Sequence, residues 1–345
     1  MKPNHREFYR KVKSVYLSPT ECAHVFPSSL IGFKLILSSV EREKDSKLFI
    51  CEYPIRIAVP SYLASSIRIT DYPSFEIIFY ENNSFIDYFK FYADVTRVTP
   101  KFETIEITKD LHVPANPAQF EEYWKRSRLI DCHNLPMNRN NTSQRLPIET
   151  SLRALSNLRN VLTRFNMYPY LEGGTLLGWY RECSVIPHTL DMDFVVDISQ
   201  LNPQFEELVR TKGESFALTR KLGDPKDSLE YTVVPSKGFK TPIDIFFMYQ
   251  NTDEYWIAGT DGKGTKYRYS FPFYDPYCAG IIHGFVFWVT CSPDQILTIS
   301  YGKEWYKDYP SSRFRWNSSS RNVRIVGKIK NSDLKKFYEI IKQTP

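Results

Sequence analysis

Residues 191–197, DMDFVVD, constrain this chain more than any other stretch, because two aspartates, Asp191 and Asp193, stand at the mouth of an apolar run. A carboxylate set against a buried strand is costly unless a cation or a hydrogen-bond network offsets it. Strand side chains alternate faces, so carboxylates at i and i+2 point the same way and can share one divalent ion, while Met192 between them turns to the core. Further along, TPIDIFFMY sets Asp244 inside an equally apolar strand. A third acid from a neighbouring strand completes a hard-oxygen site for magnesium or manganese. The bland alternatives are a capped turn for Asp191 and Asp193 and a buried salt bridge between Asp244 and Arg181.

The segment just before, EGGTLLGWYREC, reads as two glycines leading into an amphipathic helix with Leu176, Leu177 and Tyr180 at helical intervals. Gly173 and Gly174 offer bare backbone N–H groups at a positive helix terminus, a place for phosphate, and Thr175 adds a hydroxyl. Arg181 has the fork that suits a diphosphate, or else rides a solvated helix face. His188 is a loop histidine with an outside role in proton transfer. Trp179 reads as packing, and Tyr301, Gly302 and Trp305 as residues that wall the pocket or hold the short helix in place. Lys263, Lys266 and Arg268 form a basic hairpin that either holds donor phosphates or is merely solvated.

Punctuation divides the rest. KLFICEY, IRIAVP, SSIRIT, SFEIIFYE, FKFYADVTRV and FETIEIT read as strands, so residues 1–118 form a β-rich domain. A helix over 117–129 and an Asn- and Pro-rich linker fill 119–146. Residues 147–311 form a second domain opened by a helix whose stripe is Leu152, Leu155, Leu158, Val161, Leu162 and Phe165, with Arg and Asn on its other face. It continues through the helix of LNPQFEELVRTKG, strands at SFALTR, LEYTVV, TPIDIFFMY, EYWIAG and IIHGFVFWVT, and a short helix from Pro293 to Tyr301. Residues 312–345 form a basic tail closed by a helix in SDLKKFYEIIK. The fold class is α+β.

A formal charge of +6 over 345 residues is too dilute to argue for nucleic acid. Six widely spaced cysteines show no zinc-ligand spacing and read as core thiols with one disulfide. No segment approaches the length of a membrane span, and the first residues lack the apolar core of a secretory signal.

The order of glycine pair, helix, extended Ile186-Pro187, D-x-D strand and later acid-bearing strand is that of the nucleotidyltransferase fold, a mixed sheet with helices. More particularly, EGGTLLGWYRECSVIPHTLDMDF resembles the LicD/fukutin family, and YGKEWYKDYP is similar to that family's Tyr-Gly-x-Asp/Glu-Trp motif. The resemblance spans residues 147–311, preceded by an extension of its own, as in nematode fukutin-like proteins. It implies Asp191, Asp193 and Asp244 as catalytic and metal-binding acids, and Gly173, Gly174, Thr175 and Arg181 as substrate-binding residues. It also implies transfer of ribitol phosphate, glycerol phosphate or phosphocholine from a CDP-linked donor to a glycan or glycoprotein hydroxyl, in the Golgi or secretory lumen; with no signal visible in the sequence, the alternative location is the cytoplasm. Two departures stand out: some relatives have a further acid where this chain has His188-Thr189, and the cysteine zinc cluster of one human relative has no counterpart. The alternatives are an inactive glycan-binding scaffold of the same fold, or nucleotide transfer to RNA, against which the missing basic-aromatic stripe counts.

Overall fold

The computed structural model describes residues 32–35, 55–61, 75–92, 95–108, 111–139, 145–211 and 215–341. The strands expected at KLFICEY and SSIRIT, together with Cys22 and Cys51, lie outside the described residues. The chain forms two compact units, Met1–Leu129 and Ile130–Pro345.

In the first unit, β1 (Gly32–Leu35), β2 (Ile55–Pro60) and β3 (Phe75–Asn82) run parallel, and β4 (Tyr88–Tyr92) and β5 (Thr96–Pro100) continue the sheet antiparallel. On the other side of β1, β6 (Thr104–Thr108) and β7 (Leu111–Pro114) pair as a hairpin. FKFYADVTRV, expected as one strand, doubles back as β4 and β5, so its backbone groups satisfy one another. Helix α1 (Pro117–Lys125) starts where the Asn116 side chain accepts the Gln119 N–H and Pro117 presets the first turn. It packs Phe120 and Trp124 against Ile78, Tyr80, Phe89 and Phe91. The two-residue β8 (Arg128–Leu129) ends the unit.

The second unit opens with α2 (Ile148–Arg164), whose buried face contains Leu152, Leu155, Leu158, Val161 and Leu162. Its expected polar face is corrected at Arg159, which is buried, donates to the Val286 carbonyl and lies over the Phe287 ring. Then come β9 (Tyr170–Leu171), α3 (Gly173–Glu182), β10 (Met192–Asp197), α4 (Pro203–Arg210), β11 (Phe216–Leu222), β12 (Glu230–Pro235) and β13 (Ile243–Gln250). β14 (Tyr255–Thr260), β15 (Thr265–Phe271), β16 (Cys278–Ile282), β17 (Phe285–Val289) and α5 (Pro293–Tyr301) follow. β18 (Val323–Lys328), α6 (Leu334–Phe337) and β19 (Tyr338–Ile340) close the described chain.

The central sheet is mixed, in the order β19-β11-β12-β13-β10-β9-β17-β16. β10 and β13 run parallel; β11, β12 and β13 form an antiparallel meander. A smaller antiparallel sheet joins the end of β13 to β14, β15 and β18. Two expectations change here. IIHGFVFWVT holds a hairpin turn rather than one strand, because His283 and Gly284 both take positive φ and turn β16 into β17. The closing helix stops after Phe337, and Tyr338 to Ile340 instead pair with β11, where aromatic and β-branched side chains suit a strand.

Among the described residues two disulfides form, Cys132–Cys183 and Cys278–Cys291, one more than the sequence suggested. The first ties the segment entering the unit to the end of α3, where Cys183 takes the left-handed cap conformation.

Candidate active site

Sheet register builds the site. Asp193 lies opposite Asp244 across the parallel β10–β13 pair, Asp244 opposite Thr232 on β12, and Thr232 opposite Arg220 on β11. A β-bulge between Leu218 and Arg220 puts Arg220 in this row, since a one-residue shift would bring its neighbour there instead. At the other end the Glu172 N–H donates to the Asp193 carbonyl at 3.4 Å. Arg220, Thr232, Asp244, Asp193 and Glu172 thus form one line across five strands or their ends. Glu230, two residues before Thr232, shares its face.

Helix α3 shapes the near wall. Gly173 has φ +55°, and a Cβ there would meet Asp193 Oδ2 at 3.1 Å. Glycine is therefore required twice over, for the backbone and for the carboxylate beside it. At Gly174 the same oxygen would be 4.0 Å away. The two glycines are the first turn of the helix rather than a loop before it. Thr175 Oγ1 accepts the Asp193 N–H at 2.8 Å, so this hydroxyl pins the acid in place. Gly178 is needed because a Cβ would fall 2.8 Å from the Ser184 carbonyl oxygen.

The acids repel one another. Burial first, then the charges of Asp191, Asp244, Glu172 and Glu230, raise the Asp193 carboxyl well above its usual range. Burial raises Glu172 to about 7, opposed by hydrogen bonds from the Tyr274 hydroxyl and the Gly173 N–H. The Tyr274 hydroxyl lies 2.7 Å from Glu172 Oε2. Glu230 and Asp244 are also raised, burial leading in both and Arg220 opposing it. Arg220 Nη2 donates to Glu230 Oε1 at 2.7 Å and to Asp244 Oδ1 at 3.3 Å, and the Thr232 hydroxyl donates to the same Asp244 oxygen. Burial raises the Tyr301 phenol, and the charges of Asp193 and Glu172 add to it.

An all-oxygen set of donors is the chemistry a hard divalent ion takes. Among the described residues, however, no three His, Cys, Asp or Glu side chains are grouped to hold a metal. Asp244 is turned to Thr232 and Arg220, and Asp191, just before β10, accepts the Thr189 hydroxyl at 3.1 Å.

The structure brings Gly173, Gly174, Thr175, Asp191, Asp193 and Asp244 to one place, but not Arg181. Arg181 is 1 % exposed, and its guanidinium donates to Glu182, to the Trp305 and Lys307 carbonyls, and to Asp308. Arg139 joins the network, donating to both Glu182 oxygens at 2.6 and 2.7 Å and to Asp308. His188 sits beside it, Nδ1 2.7 Å from Ser311 Oγ. These residues clamp the YGKEWYKDYP segment onto α3. Lys266 is paired with Asp227, and Arg268 with Glu254 beneath the Trp256 ring.

Residues 166–292 match the LicD/FKTN/FKRP nucleotidyltransferase domain, and residues 18–131 match the W02B3.4-like N-terminal domain. The Caenorhabditis elegans protein W02B3.4 is 40% identical over 84% of this chain and 76% of its own length. A second protein of that organism, T07A5.1, is 37% identical over 94% of this chain and 87% of its own. The human ribitol-5-phosphate transferase FKTN is 29% identical over 62% of this chain, which spans about half (47%) of the human protein. With the glycine pair, the D-x-D strand and the later strand acid standing in one site of a mixed α+β sheet, the chain belongs to the LicD/fukutin family.

Proposed function

We propose that the protein transfers a phosphorylated alcohol (ribitol phosphate, glycerol phosphate or phosphocholine) from a CDP-linked donor to a sugar hydroxyl of a glycan, with magnesium or manganese bound. The observation that carries this reading is the row Arg220–Thr232–Asp244–Asp193–Glu172, set in a family that includes ribitol-5-phosphate transferases. Asp191 and Asp193 would hold the ion, with Asp244 as the third acid. Such ions keep waters and take one or two carboxylates plus phosphate oxygens, so a closed protein cage is not required. When bound, the ion supplies charge neutralisation for phosphoryl transfer.

The protein's own groups do the rest. The first turn of α3, from Gly173 to Thr175, orients donor phosphate through a positive helix terminus, with Gly173 leaving room beside Asp193. Arg220 balances the charge of Asp244 and Glu230. A carboxylate of the row takes the proton of the attacking hydroxyl. The two disulfides support an oxidising compartment such as the Golgi lumen.

A second reading has one observation in its favour: Asp244 is already neutralised by Arg220 and Thr232, as an inactive glycan-binding scaffold would allow. Incubation with CDP-ribitol, CDP-glycerol and CDP-choline, manganese and a glycan panel separates the two. Release of CMP, lost in Asp193→Asn, supports the transferase. Glycan binding without CMP from any donor supports the scaffold.

A further inference from the structure

We infer that the basic C-terminal segment is a docking surface for an anionic phospholipid membrane. From residue 312 onward the sequence holds nine Lys and Arg against two acids, a surplus larger than the +6 of the whole chain. The other residues together are therefore close to neutral. A charge so segregated acts as a local patch rather than as a general property.

The fold collects this charge beside exposed apolar side chains. The Trp316 ring lies over Gly259, where a Cβ would meet it at 3.0 Å, and edge-on to Tyr267 at 5.1 Å. Tyr267 is the strand partner of Ile325 on β18 and of Gly259 on β14, so Trp316 and Ile325 rise from one face of the small sheet. Trp316 is 45% exposed, Ile325 68% and Val326 41%.

The cations gather around the adjacent β14–β15 turn. The Ile329 N–H donates to the Gly264 carbonyl at 2.8 Å, and Leu334 abuts Gly264, which draws Lys328, Lys330, Lys335 and Lys336 towards Lys263 in the turn. All five are exposed, and among the described residues none enters an ion pair. Asp261 in the turn is directed inward, accepting the Lys263 and Thr265 N–H groups; Asp333 is the exposed acid among these lysines. By contrast Lys266, Arg268 and Arg324, nearer the middle of the sheet, are all paired.

Lysines alone would suit any polyanion. Ile325 decides between partners: its methyl groups offer nothing to sugar hydroxyls or phosphates, but gain on entering the boundary between headgroups and acyl chains, where tryptophan also settles. Each lysine near an anionic leaflet strengthens binding about fivefold, and salt screens the effect. This surface is independent of the transferase reading, and its test uses neither donor nor metal.

The full chain is pelleted with vesicles of phosphatidylcholine alone or with about a third phosphatidylserine. The proposal expects binding to the anionic vesicles only, weakened at least about tenfold by Lys328→Glu with Lys330→Glu and by high salt. Ile325→Ser weakens it further, and brominated lipid quenches tryptophan emission in the wild type but not in Trp316→Phe. Unchanged thermal melting shows that these exposed substitutions leave the fold intact. No pelleting, equal pelleting with neutral vesicles, or binding indifferent to all the substitutions would overturn it. So would loss of lysine-dependent binding to vesicles alongside retained binding to heparin, which would assign the patch to an anionic glycan.

Discussion

Gly173 and Gly174 are adjacent and identical in the sequence, yet their substitution should have opposite effects. Gly173→Ala places a Cβ on a residue at φ +55° and 3.1 Å from Asp193 Oδ2. The left-handed conformation costs about 1–2 kcal/mol for an L-residue. At roughly 2–4 °C per kcal/mol for a domain of this size, the melting temperature falls by about 2–8 °C. The carboxylate must also yield by a few tenths of an ångström, and if Asp193 holds the ion as proposed, displacing it weakens metal binding by about tenfold. Gly174→Ala meets the same oxygen at 4.0 Å, an ordinary contact, at a position with no positive φ. Here the unfolded chain loses freedom and the helix gains a better former, so the melting temperature stays level or rises. Differential scanning calorimetry and manganese titration of both variants read the two effects. Equal shifts in both, or a Gly173→Ala protein that melts and binds manganese like wild type, would refute the geometry.

Three further outcomes follow from the same contacts. Arg220→Gln leaves Glu230 and Asp244 without their charged donor and costs about 2 kcal/mol in urea unfolding; adding Glu230→Gln recovers part of it. Replacing Cys132 and Cys183 by serine opens a loop of sequence separation 51 and costs about 4 kcal/mol on the chain-entropy account, seen as a lower denaturation midpoint. Hydrogen bonding from Arg139 holds the Asp308 carboxyl below its ordinary value, so its contribution to stability is present above the unfolded pKa and lost as pH falls through the folded one. Wild type should therefore lose more stability than Asp308→Asn between about pH 5 and 3, measured by thermal melts across that range.

Part of the candidate site's layout is legible in the sequence. Asp193 and Asp244 were visible because each interrupts an apolar strand, and the α2 stripe followed helical spacing. Glu230 carries the same signal in LEYTVV, whereas the place of Glu172 at the head of the glycine pair hides its burial. Arg220 was not readable, because the bulge that brings it into the row belongs to strand pairing and leaves no mark in a single sequence. Arg181 showed only that it was basic and helical. Its burial depends on Trp305, Lys307 and Asp308, far away along the chain. The last helix failed for a related reason: propensity favoured it, but β11 offered Tyr338 to Ile340 a partner.

The central claim is that the facing carboxylates of β10 and β13 take up a divalent cation. Manganese titration of the apo protein, followed by electron paramagnetic resonance, tests it most directly. The account predicts saturable binding that Asp193→Asn weakens by an order of magnitude or more while the fold is retained. Binding in that variant as tight as in wild type, or no binding in either, would contradict it.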